Sequence, residues 1–381
     1  MSDREKRIGI DASAMLVARK NGYEYYVHAL ILAIAALPDE DLADLELVFY
    51  FHAGNPLAEP ALLAGILSRL RRFKCRIYHP KRLFSIALPL LARIDRLDWL
   101  HLPVHPWARW YPCPVGVTIH DVCSTRLAQY YGETSLSHHE DVVQRQLKLA
   151  AACIAVSAST RQDVNAFYGV PIEQIYVVHH GVDAFFYPSS IDAERVKQKY
   201  GLEEFILTVN ALQVNKNHER LLSAYAQLRQ ERHINIPLVL VGRGGIGAER
   251  IQEAIKHFEP NSAVRYLDYV PRKDLRGLYS AATLVANPSL CEGFGLPILE
   301  AMACGAPVAL SSTTSLPEVG GDAALYFDPL DTDSISETLW QGLSSAALRE
   351  DLRQRGLERA AQFSWERAAR ATLAAYRSWG Q

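Results

Sequence analysis

The sequence predicts an α/β protein built on two doubly covered parallel sheets, and three observations carry that prediction. The chain has 381 residues, too many for one ordinary domain and enough for two, each with its own core. Short apolar runs alternate with helical patterns along its length. Those runs are continuously apolar where a half-exposed antiparallel strand would alternate, as expected of strands buried on both faces.

Taken in order, the first half offers the strand-like RIGIDAS (7–13), a helical YEYYVHALILAIAAL (23–37) and the strand-like LELVFYF (45–51). Further strands are predicted at CRIYH (75–79), WLHLPVH (99–105), VGVTIHD (115–121), CIAVSA (153–158) and QIYVVHHG (174–181). Thr160–Asp163 spells a capping box for the helix after AVSAS. A linker with Pro and Ser punctuation is expected over 182–195. The second series comprises FILTVNAL (205–212), PLVLVGRG (237–244), AVRYLDYV (263–270), TLVANPS (283–289), PVALSS (307–312) and AALYFDP (323–329). An amphipathic helical pattern closes the chain over 363–379. The domains so drawn are 1–185 and 193–362, followed by the final helix, 364–381.

Composition narrows the function. At 49% hydrophobic and 22% charged the chain is an ordinary globular one, and 40 basic against 42 acidic residues give no whole-surface affinity for nucleic acid. The six cysteines show no CxxC spacing, so reduced thiols in a cytosolic protein are expected. MSDREKR is too polar for a signal peptide, and no apolar run approaches the ~18 residues of a membrane span. Membrane contact would therefore be peripheral. Residues 65–100 carry nine basic side chains against Asp95 and Asp98, interleaved with Leu, Ile and Phe. A solvated basic face and a contact with an anionic membrane both fit that run.

The chemistry centres on Asn287–Gly305, NPSLCEGFGLPILEAMACG. Gly293 and Gly295 let the backbone bend, Pro297 suits a first helical turn and Gly305 ends the helix. Such a helix start turns unpaired N–H groups and a positive dipole end toward an anion. Glu292 and Glu300 flank it, and carboxylates accept hydrogen bonds from hydroxyls. Sugar hydroxyls on Glu292, a ribose on Glu300 and a diphosphate between them satisfy the pattern; so does a surface helix with two solvated glutamates.

The full spelling, E292-G-F-G-L-P-I-L-E300 followed by AMACGAPV, resembles the E-x7-E signature of the retaining GT-B glycosyltransferases of family 4. The likeness continues through SLPEVGGDAALYFDP (315–329) and, more weakly, over nearly the whole chain. It implies two Rossmann-like domains facing across a cleft, the first binding the acceptor and the second the donor, with the C-terminal helix crossing back to the first. It also implies a nucleotide-sugar donor of UDP-glucose or GDP-mannose type, a glycan or lipid-linked acceptor, no bound metal and no other cofactor. The setting would be bacterial exopolysaccharide or surface polysaccharide synthesis in the cytoplasm, at the inner face of the membrane where the acceptor is lipid-linked.

Carried over residue by residue, the resemblance gives Gly293, Phe294, Gly295, Leu296 and Glu300 to the donor. Gly22 would close over the donor phosphates, although a plain βα turn glycine fits too. His120 ends the strand VTIHD, where open α/β sheets bind ligands, and could hydrogen-bond a sugar hydroxyl. Lys216, in QVNKNHE, resembles the family's phosphate-binding lysine. The family places an Arg five or six residues before it; here Asn210 and Ala211 stand there, and Arg243 is the substitute to test. Negative charge growing on the departing phosphate would fall to Lys216 and the helix start. Glu292 would orient the sugar while the acceptor attacks from the front face.

Three other readings compete. Gly242–Gly247 spells GxGxxG after a strand, as in nicotinamide enzymes, but lies mid-chain in the second sheet rather than at the start of a sheet. A hydrolase would need Glu292 and a second acid flanking a glycosidic bond. Asp331-Thr-Asp333 has the spelling of a metal-binding DxD, but helix capping explains it more simply. The adjacent histidines 138–139 and 179–180 are not read as metal ligands.

Overall fold

The computed structural model describes residues 5–18, 22–55, 57–79, 84–105, 108–130, 133–258 and 263–380. Lys81 and Arg82 of the basic run, and Arg19–Asn21 before Gly22, lie outside them, as do the side chains of His138 and His139. The chain forms two compact units. Met1–Thr125, Glu133–Gly181 and Ser364–Gln381 make the first; Arg126–Gly132 and Val182–Phe363 make the second.

The first unit contains β1 (Lys6–Asp11), β2 (Leu45–His52), β3 (Lys74–Tyr78), β4 (Trp99–Leu102), β5 (Val115–Ile119), β6 (Ala150–Ala155) and β7 (Ile175–Val177). They pair in parallel in the order β3-β2-β1-β4-β5-β6-β7. The second contains β8 (Ile206–Val209), β9 (Leu238–Val241), β10 (Val264–Leu267), β11 (Leu284–Asn287), β12 (Val308–Ser311) and β13 (Ala324–Phe327), parallel in the order β10-β9-β8-β11-β12-β13. Every strand-like run read from the sequence overlaps one of these strands, β6 starting three residues earlier than its run.

The continuous apolar spelling has a direct cause in β2. Leu45, Leu47, Phe49 and Phe51 enter one core, whereas Val48 and Tyr50 point the other way into a second. Side chains alternate across a strand, so a sheet covered on both faces needs apolar residues at every position. The final helix, Trp365–Ser378, belongs to the first unit, as expected: Ala368, Ala369, Leu373, Tyr376 and Trp379 share a core with Tyr26, Val27 and Leu30. His101 Nδ1 lies 2.7 Å from the Tyr376 hydroxyl, and a Cβ at Gly116 would come within 2.1 Å of the Trp379 ring.

Two local expectations are corrected. The cap of the helix Ala158–Tyr168 is Ser157, not Thr160: Ser157 is extended and its Oγ accepts from the Thr160 N–H at 3.0 Å. The stretch read as linker ends at Ser189, which caps the helix Ser190–Tyr200. Buried Asp192 holds that helix start against Arg276, whose Nε donates to it at 2.8 Å.

Candidate active site

In each sheet the strand order reverses beside the first strand, and ligands of open α/β folds bind outside the carboxyl ends at such switch points. In the second unit that point lies between β8 and β11. The end of β11 carries Asn287, and the segments leaving these two strands carry Asn210, Lys216, Ser289 and Glu292.

They are stitched together before any side-chain charge is considered. The Leu290 N–H donates to the Asn215 carbonyl at 2.8 Å, and buried Asn217 donates from Nδ2 to the carbonyls of Pro288 and Pro329 at 3.0 and 2.7 Å. Asn217 adopts φ 57°, a conformation Asn tolerates better than most residues, and this reverses the chain between the short turn Val214–Lys216 and the helix His218–Arg232. Lys216 Nζ consequently sits 2.7 Å from Glu292 Oε2, the two side chains 15% and 11% exposed. The other carboxylate oxygen, Oε1, accepts from Ser289 Oγ at 2.7 Å.

The Glu292 backbone is held as well. Its N–H donates to Thr314 Oγ1 at 3.0 Å and its carbonyl accepts from Ser315 Oγ at 2.9 Å. Gly295, at φ 107°, starts the helix Leu296–Ala303; Pro297 occupies the first turn and Gly305, at φ 76°, follows its end. The Phe294 ring is buried against Phe363, centroids 5.9 Å apart, so any donor contact there falls to its backbone. Glu300 points toward the helix Arg272–Ala281, accepting from the Tyr279 hydroxyl at 3.4 Å. Burial pushes its carboxyl up to about 8, against the opposing pull of Arg272 and Tyr279, so the acid is largely protonated at neutral pH.

Asn210 is buried and donates from Nδ2 to Asn287 Oδ1 at 3.3 Å. Arg243 is exposed, its guanidinium 4.7 Å from the centre of the Tyr269 ring. The GxGxxG spelling has a packing cause: a Cβ at Gly242 would stand 2.1 Å from the Asn210 carbonyl oxygen, and one at Gly247 would stand 2.8 Å from Val214 Cγ2. These glycines let the loop after β9 lie against the lysine segment. Asp331 caps the helix Thr332–Ser344, accepting from the Asp333 N–H at 2.9 Å, as expected. Among the described residues no group of three or more His, Cys, Asp or Glu could hold a metal ion. A cavity of about 840 Å³ beside the helices His218–Arg232 and Ala248–Lys256 contains none of Lys216, Glu292 and Glu300.

In the first unit Gly22 opens the helix Gly22–Ala36, with open space where a Cβ would stand. His120 follows β5, its ring 4.8 Å from both Tyr23 and Tyr26. Nε2 lies 2.9 Å from the Pro103 carbonyl oxygen, which can only accept, so Nε2 carries the proton and Nδ1 the lone pair. Burial pushes the imidazole down to about 4 despite that hydrogen bond, which keeps it neutral. Tyr23, His105, His120, Asp121 and Gln146 line a cavity of about 170 Å³.

Sequence reasoning singled out the two glutamates, the lysine and the histidine, but not the residues packed around the first three of them: Ser289, Asn287, Asn217, Thr314 and Tyr279. Asn287-Pro-Ser289 at the end of a buried strand was the one available signal.

Comparison with known proteins gives the family. The family model for Glycosyltransferase Family 4 matches residues 18–186, and that for Glycosyl transferases group 1 matches 189–359. The O-antigen chain mannosyltransferase B of Escherichia coli is 36% identical over 263 residues, 68% of this chain and 69% of that protein. The serotype-specific mannosyltransferase WbdA of Escherichia coli is 33% identical over 232 residues, 59% of this chain but only 28% of that longer protein. Among solved structures, sucrose-phosphate synthase from Thermosynechococcus elongatus superposes with a TM-score of 0.73 over 98% of each chain, at 21% identity, and so shares the fold. Two matched domain models and a relative similar over most of both chains displace the nicotinamide and hydrolase readings: the chain belongs to the family 4 glycosyltransferases, enzymes of GT-B fold.

Proposed function

We propose that the protein transfers a hexose, mannose before others, from a nucleotide diphosphate sugar to a glycan or lipid-linked acceptor in bacterial surface polysaccharide synthesis, with retention and without a metal. The observation that carries the reading is the Lys216–Glu292 pair at the switch point of the second sheet. A cation and a carboxylate held at contact distance suit a ligand with a phosphate on one side and hydroxyls on the other. The mannosyltransferase relatives support the choice of sugar, and on that reading GDP-mannose is the first donor to try, UDP-glucose the second.

In this reading the diphosphate takes Lys216 and the start of the helix Leu296–Ala303, Glu292 accepts from the sugar hydroxyls, and Glu300 meets the ribose. Arg243, on its exposed loop, is the second cation for the phosphates. His120 accepts a sugar hydroxyl at Nδ1. As the anomeric C–O bond breaks, the leaving phosphate oxygen gains charge that Lys216 is fixed to stabilise. The acceptor oxygen bonds to the anomeric carbon on the same face, and its proton passes to that phosphate oxygen. Fixed charge on Lys216 and the helix dipole can meet the electrostatic demand without a metal.

No helix among the described residues is long and apolar enough to cross a membrane. Peripheral contact with an anionic membrane through residues 65–100 belongs to the same reading, and the structure shifts its weight. Lys74 and Arg76 are both spent on buried Asp95, and Arg72 on Asp39. The apolar helix Phe84–Ile94 instead exposes Ile86, Leu90 and Ile94 by 45%, 50% and 67%, one turn apart, with exposed Arg93 and Arg96 beside them.

The test is incubation of purified enzyme with GDP-mannose or UDP-glucose and an oligosaccharide acceptor, with and without EDTA, reading the anomeric configuration by NMR. Transfer with retained configuration in EDTA is expected. Inversion would contradict the mechanism, as would loss of transfer on chelation that Mn²⁺ or Mg²⁺ restores.

A further inference from the structure

We propose that Ser289 is a positioning residue that fixes the Glu292 carboxylate when the donor draws Lys216 away. This rests on the reading of Glu292 as the acceptor of sugar hydroxyls. In the structure each oxygen of that carboxylate has one donor: Lys216 Nζ on Oε2 and Ser289 Oγ on Oε1, both at 2.7 Å. Lys216 must turn to the diphosphate during the reaction, so it cannot also hold Glu292 throughout. Ser289 can. It is fully buried, and its backbone N–H donates to Asn287 Oδ1 at 3.1 Å, the atom that also accepts from Asn210. Its carbonyl accepts from Thr313 Oγ1 at 3.4 Å.

The next residue, Thr314, holds φ 51°, which a β-branched side chain rarely adopts, and in that conformation its Oγ1 accepts the Glu292 N–H. Backbone and carboxylate are thus clamped by different hydroxyls, and the Ser289 hydroxyl is the one that sets where the carboxylate lone pairs point. Asn210, standing where the family places an arginine, is the outer end of the same chain of hydrogen bonds.

The test is steady-state kinetics with GDP-mannose and an oligosaccharide acceptor for Ser289→Ala, Glu292→Gln and the double variant, with GDP binding measured alongside. Losing a hydrogen bond to a charged group should cut kcat by ~10–100-fold. GDP, which lacks the sugar, should bind Ser289→Ala as it binds the wild type, and should bind Glu292→Gln no more weakly, since that change frees Lys216 for the diphosphate. The double variant should lose much less than the product of the single losses, because Ser289 acts only through Glu292. Ser289→Cys keeps the shape with a weaker donor and should fall between wild type and Ala, so a poorly folding Ala variant does not block the test. Full activity in both Ser289 variants, or losses that multiply in the double, would overturn the proposal. Full activity in Glu292→Gln would instead sink the donor reading on which it stands.

Discussion

Replacing Lys216 with Met should destabilise the ligand-free protein, and replacing Glu292 with Gln at the same time should restore most of the loss. The two groups lie 2.7 Å apart with side chains 15% and 11% exposed. Breaking a buried pair by removing one partner costs ~3–5 kcal/mol, because the other charge stays in a poorly solvated site. Residual exposure and the hydrogen bond from Ser289 bring this case to or below the low end of that range, about 2–3 kcal/mol. At roughly 2–4 °C per kcal/mol for a domain of this size, Tm should fall by ~4–12 °C. The double variant leaves a thioether beside a neutral amide that still accepts from Ser289, so neither charge is stranded. Differential scanning calorimetry without nucleotide reads both. A Tm within 1 °C of wild type for Lys216→Met, or a double variant that falls by the sum of the singles, would refute the view that the pair is mutually held.

Glu300 and the exposed helix yield further predictions. The Glu300 carboxyl is raised from 4.5 to about 8, so its contribution to stability is full below 4.5 and lost as pH rises through 8. Wild type should therefore lose stability relative to Glu300→Gln across that window, and parallel Tm profiles would count against it. A ribose hydroxyl favours the carboxylate, so GDP binding at pH 7 should release protons, seen as an enthalpy that varies with the buffer; uptake would be the contrary result. Ile94→Asp should weaken sedimentation with anionic vesicles by about tenfold, since a mostly exposed Ile contributes ~1–2 kcal/mol on insertion. Equal binding by the variant, or equal binding of wild type to neutral vesicles, would remove the helix Phe84–Ile94 from the contact.

The fold was legible because both sheets are parallel and covered, which writes each strand as an unbroken apolar run; β2, feeding two cores, is the plainest case. The site was legible only as a set of separate residues. Lys216 and Glu292 are far apart in sequence, and only the Asn217 turn and the pairing of β8 with β11 bring them into contact. No pattern rule predicts a threonine at positive φ, yet Thr314 holds the Glu292 backbone. Asp95 looked like one acid lost among basic residues; burial makes it the anchor of Lys74 and Arg76. The cap at Ser157 was misread by three residues because Ser and Thr both fit, and the choice was made by which residue leaves β6 extended.

Kinetics of Lys216→Ala with GDP-mannose test the central claim most directly. A cation fixed beside the departing phosphate acts more strongly as the bond breaks, so its loss should lower kcat by ~10²–10³-fold and change donor affinity far less. Lys216→Arg should recover part of the rate. A Lys216→Ala enzyme with wild-type kcat would contradict the account, and the phosphate would then have to be held by the helix start at Leu296 and by Arg243 alone.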